Sequence, residues 1–75
     1  MKTYHFSARF SDSQWNYHGT FLTSFTEQSD IVNRAKIAVS EKLAGWHKQA
    51  KDMVFFEVYC FDDTGKEINI FKHVA

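Results

Sequence analysis

The sequence predicts an α+β domain of order ββαββ, a four-stranded antiparallel sheet with one helix packed on one face. Three observations carry this. Two stretches near the start alternate apolar and polar residues. The middle repeats apolar residues at helical spacing. The end reads as a strand, a turn and a returning strand.

Residues 4–10 place Tyr4, Phe6, Ala8 and Phe10 on one face and His5, Ser7 and Arg9 on the other, the period of a half-buried strand. Ser11-Asp12-Ser13-Gln14 is a polar connector of hairpin length. Residues 15–25 alternate again, with Trp15, Tyr17, Gly19, Phe21, Thr23 and Phe25 on one face. A loop of those four connector residues sets Phe10 opposite Trp15, Ala8 opposite Tyr17, Phe6 opposite Gly19 and Tyr4 opposite Phe21. Small residues then meet large ones in the two middle pairs, and a ring over Gly19 shields its bare backbone. A slip of one residue would turn the polar face inward, which holds the register.

A helix follows. Thr26 or Ser29 can cap it, and Glu27 and Asp30 suit its positive end. Val32, Ala35, Val39 and Leu43 form one stripe, widened by Ile31 and Ala38. Gly45 is placed to end the helix, with Trp46 folding back; a longer helix that runs through Gly45 and buries Trp46 is the alternative.

Residues 53–61, Met-Val-Phe-Phe-Glu-Val-Tyr-Cys-Phe, are strand-like. Asp62-Asp63-Thr64-Gly65 predicts a type I turn with glycine in the left-handed position, and residues 67–74 return. With Asp62 facing Lys66, the pairs are Cys60 with Ile68, Val58 with Ile70, Phe56 with Lys72 and Val54 with Val74. The run at 53–61 is apolar on both faces and suits a central position, which favours the order 2-1-3-4 through a right-handed crossover. The expected core is Phe6, Phe10, Tyr17, Phe21, Val39, Leu43, Phe56, Val58, Ile68 and Ile70, with Cys60 buried opposite Ile68.

The 75 residues make one domain, 1–75, too small to bury more than roughly 60% of its unfolded surface. Eight Phe, three Tyr and two Trp supply the core density that a lone cysteine cannot replace with a disulfide. Proline is absent and glycine scarce, which argues against disorder and long linkers. No apolar run approaches a membrane span, and the alternating N-terminus is no signal peptide. One free thiol fits a reducing cytoplasm. Nine basic and nine acidic residues balance, which removes the general attraction to phosphate. The charges are nonetheless segregated: bases dominate 34–51 and acids dominate 57–67.

One helix covers one face of such a sheet. The mixed face with Glu57, Glu67, Asn69 and His73 turns outward, because burying Glu57 unpaired would cost several kcal/mol. That face also carries Phe55, Tyr59, Phe61 and Phe71, extended by Met53. An aromatic patch of this kind marks an interaction site, against the bland reading in which strand twist and the 46–52 segment hide some rings. The layout resembles that of RNA-recognition motifs, which stack bases on sheet aromatics. Those domains run βαββαβ with a Lys/Arg-Gly-Phe signature, which 53–61 lacks, and Glu57 repels phosphate.

Arg34, Lys36, Lys42, Lys48 and Lys51 can grip phosphate or simply form a solvated helix face. His5 and His18 are diagonal neighbours on the polar face, but no third metal ligand joins them. No nucleophile spacing and no glycine-rich phosphate loop is present. The expectation is a non-enzymatic protein-interaction module without cofactor, metal, membrane or small-molecule substrate. It acts as a homodimer or as a binder or inhibitor of a larger protein, in the manner of small accessory proteins of phages and mobile elements. The alternative is a nucleic-acid-binding module that uses the sheet aromatics or the basic 34–51 segment.

Overall fold

The computed structural model describes residues 1–11, 14–43 and 53–75. β1 (Lys2–Phe10) and β2 (Asn16–Thr23) form a first hairpin, α1 (Gln28–Leu43) follows, and β3 (Met53–Phe61) and β4 (Glu67–Val74) form a second. The strands lie in the order β2-β1-β3-β4 with every neighbouring pair antiparallel. This is the ββαββ architecture and the strand order that the sequence predicts.

The first hairpin keeps its expected register: Tyr4 faces Phe21, Phe6 faces Gly19 and Ala8 faces Tyr17. The Phe6 ring lies so close over Gly19 that a Cβ there would sit 2.5 Å from the ring's far end. Trp15 precedes β2 and is 77% exposed, one position beyond the last register pair, Arg9 with Asn16. Phe25 is also outside: β2 ends at Thr23, whose Oγ1 accepts a hydrogen bond from the Phe25 N–H and turns the chain.

In α1 the first turn closes when the Ile31 N–H donates to the Glu27 carbonyl. Ile31, Val32, Ala35 and Val39 are buried and Ala38 half-buried, the stripe that helical spacing predicts. The helix crosses the sheet from one edge strand to the other. Near its start Gln28 Nε2 donates to the Ile70 carbonyl of β4, and near its end Lys42 Nζ donates to the His18 carbonyl of β2. The Leu43 side chain, Gly45 and Trp46 lie outside the described residues, and with them the question of where the helix ends.

Phe6, Phe10, Phe21, Val39, Phe56 and Val58 form the buried core, joined by Tyr4, Ala8 and Cys60. Tyr17 and Ile70 pack against it half-buried. Ile68 is 40% exposed, a correction to its expected burial. It lies on edge strand β4, which has no outer neighbour among the described residues. Cys60 is buried and pairs with Ile68, as expected.

Two irregularities change the second hairpin. The ladder between β1 and β3 shifts where Arg9 faces Phe55 but Phe10 faces Met53, which leaves Val54 as an extra residue. The ladder between β3 and β4 shifts where Val58 faces Phe71 but Tyr59 faces Asn69, which leaves Ile70 extra. Each is a β-bulge, and each reverses the side-chain parity beyond it. The expected pairs Val58–Ile70, Phe56–Lys72 and Val54–Val74 are replaced by Val58–Phe71, Phe56–His73 and Phe55–Val74.

The connecting turn forms as read. The Gly65 N–H donates to the Asp62 carbonyl, the Asp62 N–H to the Lys66 carbonyl, and Gly65 takes φ 84°. Asp62 Oδ1 accepts from the Thr64 hydroxyl and from the Thr64 and Lys66 N–H groups. The Thr64 hydroxyl and these turn amides hold the Asp62 carboxyl below its ordinary range.

Candidate functional site

The sheet face away from α1 can be read row by row from β2 to β4. One row is Thr20, His5, Tyr59 and Asn69; the next is His18, Ser7, Glu57 and Lys72; the third is Asn16, Arg9, Phe55 and Val74. Beyond the first row, Phe61 faces Glu67 and Leu22 faces Thr3. Among the described residues no other element lies over this face.

Three of the five expected interface residues are here. Phe55 and Tyr59 are half-buried and Phe61 is 45% exposed. Met53 and Phe71 are not. Both pack against the core, and the Phe71 ring lies 6.0 Å from Phe56. The two bulges are the cause: each turns a residue that alternation assigns to the open face onto the helix side. The second bulge also brings Lys72 onto the open face opposite Glu57.

His5 takes the place of the lost aromatics. Its ring stacks on Tyr59 with centroids 5.3 Å apart and planes 13° apart. Phe61 turns its edge towards both, at 5.2 Å from His5 and 5.8 Å from Tyr59. These three rings form one packed aromatic cluster on the open face. Sequence reading assigns His5 to a polar face because its cross-strand neighbour belongs to a strand some fifty positions away. Ser7 is nearly buried on this face, a small side chain between His18 and Glu57. Ser7 thus lies between the aromatic cluster on one side and Phe55 with Arg9 on the other.

The basic candidates sit elsewhere. Arg34, Lys36 and Lys42 belong to α1 on the opposite side of the sheet, while Lys48 and Lys51 lie outside the described residues. Lys36 is exposed, Lys42 is tied to the His18 carbonyl, and Arg34 buries Nη1 without a hydrogen-bond partner among the described residues. Arg34, Lys36 and Lys42 lie across the sheet from the open-face aromatics and form no one surface with them.

A groove of about 270 Å³ lies between α1 and β4, with Val32 and Phe71 as floor and Gln28, Ser29 and Asn33 as rim. None of these lining side chains is ionisable. No group of three His, Cys, Asp or Glu gathers at one place among the described residues, and no described helix is long and apolar enough to cross a membrane. Comparisons of the chain with family models, with curated proteins and with solved structures return no match.

Proposed function

We propose that this chain is a non-enzymatic binding module that takes a protein partner on its open sheet face. The observation that carries this reading is the packed cluster of His5, Tyr59 and Phe61, which presents aromatic surface to solvent on a face without any covering element among the described residues. Aromatic side chains on a rigid sheet lose little conformational freedom on contact, which favours them as anchors.

The test is capture on the immobilised full chain, comparing wild type with Tyr59→Ser/Phe61→Ser. The expected result is a protein, a second tagged copy of the chain included, that stays bound to the wild type through high salt. The double variant should lose it while still unfolding cooperatively on heating. Equal retention by both chains overturns the reading.

One observation favours a second reading. The bulge in β4 places Lys72 on the aromatic face along with Arg9, the combination that single-stranded nucleic acid uses for stacking and phosphate contact. Glu57 and Glu67 on the same face oppose it. Retention of nucleic acid that falls steeply as salt rises would move the assignment to this reading.

A further inference from the structure

We propose that the open face pairs with a second copy of this chain across a two-fold axis that crosses the strands at the His5–Tyr59 row. Glu67 of each copy then meets Lys72 of the other. The inference rests on the protein-binding reading above and names its occupant.

A two-fold interface presents the same patch twice, so the patch must complement itself. The open face is neutral in these charges, with Glu57 and Glu67 against Arg9 and Lys72, and one pair of them, Glu67 and Lys72, can complement itself across such an axis. The arrangement of the charges selects the axis. Along β4, Glu67 and Lys72 lie on either side of Asn69, which belongs to the His5–Tyr59 row. Rotation about that row lays β4 on β4 with its ends exchanged, which sets Glu67 over Lys72 twice. Rotation about an axis along the strands at the sheet centre, the one such axis that keeps all four strands covered, lays β4 on β2 instead. Glu67 then meets Leu22 and Lys72 meets His18, and no opposite charges meet. The first axis also places the His5–Tyr59 stack against its own copy, and sets Phe61 over Glu57 of the other copy, which keeps Lys72 beside it across the strand. Two sheets packed in this way lie roughly 10 Å apart, with strands aligned to within about 30°.

The size of the patch sets the strength. Four strands about 4.8 Å apart and about 20 Å of their length give a patch on the order of 400 Å² in projection on each copy. That falls at the small end of specific interfaces, below about 1,200 Å² in total. The dimer is therefore weak and concentration-dependent, and its two symmetric Glu67–Lys72 contacts matter to it.

Sedimentation equilibrium of the full chain from micromolar to millimolar concentration tests this. The wild type should dimerise. Glu67→Lys alone and Lys72→Glu alone should each weaken the dimer about tenfold or more, since each places like charges together twice. An equimolar mixture of the two variants should recover association, because every contact in the mixed pair is again opposite in charge. Lys72→Gln puts no second acid beside Glu57 and must also weaken the dimer, which keeps the test open should Lys72→Glu unfold. A wild type that stays monomeric at millimolar concentration overturns the second-copy assignment, while the Tyr59→Ser/Phe61→Ser capture decides the protein-binding reading independently. A dimer indifferent to both charge reversals, or a mixture that fails to recover, overturns it as well.

Discussion

Gly19 and Phe6 hold one another in place. The Phe6 ring is buried, and its far end occupies the volume that a Cβ at position 19 would need, at 2.5 Å. An exposed ring would swing aside, but this one is enclosed by the core and cannot move cheaply. Gly19→Ala should therefore destabilise the fold by about 1–3 kcal/mol, the usual cost of overpacking. A domain of this size has on the order of 4–11 kcal/mol in all. Urea unfolding of Gly19→Ala, beside a Phe6→Leu/Gly19→Ala chain, checks the cause. The smaller side chain at position 6 should make the alanine less costly than it is opposite phenylalanine, and simple additivity of the two changes would refute the steric account.

The two β-bulges decide which side chains the second hairpin shows to solvent. Phe71 faces Val58 and packs near Phe56, so it belongs to the core, whereas Tyr59 stands on the open face. Alternation alone places the two on the same face and treats them as equivalent. The structure separates them. Phe71→Ala should cost about 2 kcal/mol or more of stability, as a half-buried aromatic in contact with the core. Tyr59→Ala should cost clearly less. Thermal and urea unfolding of the two single variants measures this directly, and equal losses would contradict the assigned faces. The same bulge has a second effect. The Ile70 carbonyl at the irregularity accepts from Gln28, which ties the start of α1 to β4.

At the scale of the whole molecule, the helix acts as a diagonal brace. Its first turn is bonded to edge strand β4 and its last to edge strand β2, across the two central strands. Both hairpins are thereby fastened to one element, which favours cooperative unfolding in a chain too short to hold a second core. Cys60 reports on this cooperativity. It is 1% exposed beneath the helix, within the central strand β3. A thiol reagent should reach it only when the domain opens globally. Alkylation of the native chain should be slow, and added denaturant should speed it in step with global unfolding measured by circular dichroism. Fast alkylation without denaturant would mean that β3 opens by itself.

By itself, the sequence determined the elements, the first hairpin's register, the helix's buried stripe, the glycine turn after β3 and the strand order. Each follows from local rules: side-chain period two or 3.6, turn chemistry, and the preference of a doubly apolar strand for the sheet centre. Tertiary structure decided the make-up of the open face. Alternation presumes an unbroken ladder, and a single extra residue reverses it, as at Val54 and Ile70. The adjacent apolar pair Ile70-Phe71, followed by Lys72 opposite Glu57, is the local trace of one bulge; the run Met53-Val54-Phe55-Phe56 carries no parity at all and hides the other. His5 joined the aromatic cluster for a related reason. Its partners Tyr59 and Phe61 come from a strand distant in sequence, and only the pairing of β1 with β3 brings the three rings together. Local pattern tells which residues can share a face, and long-range register decides which of them meet.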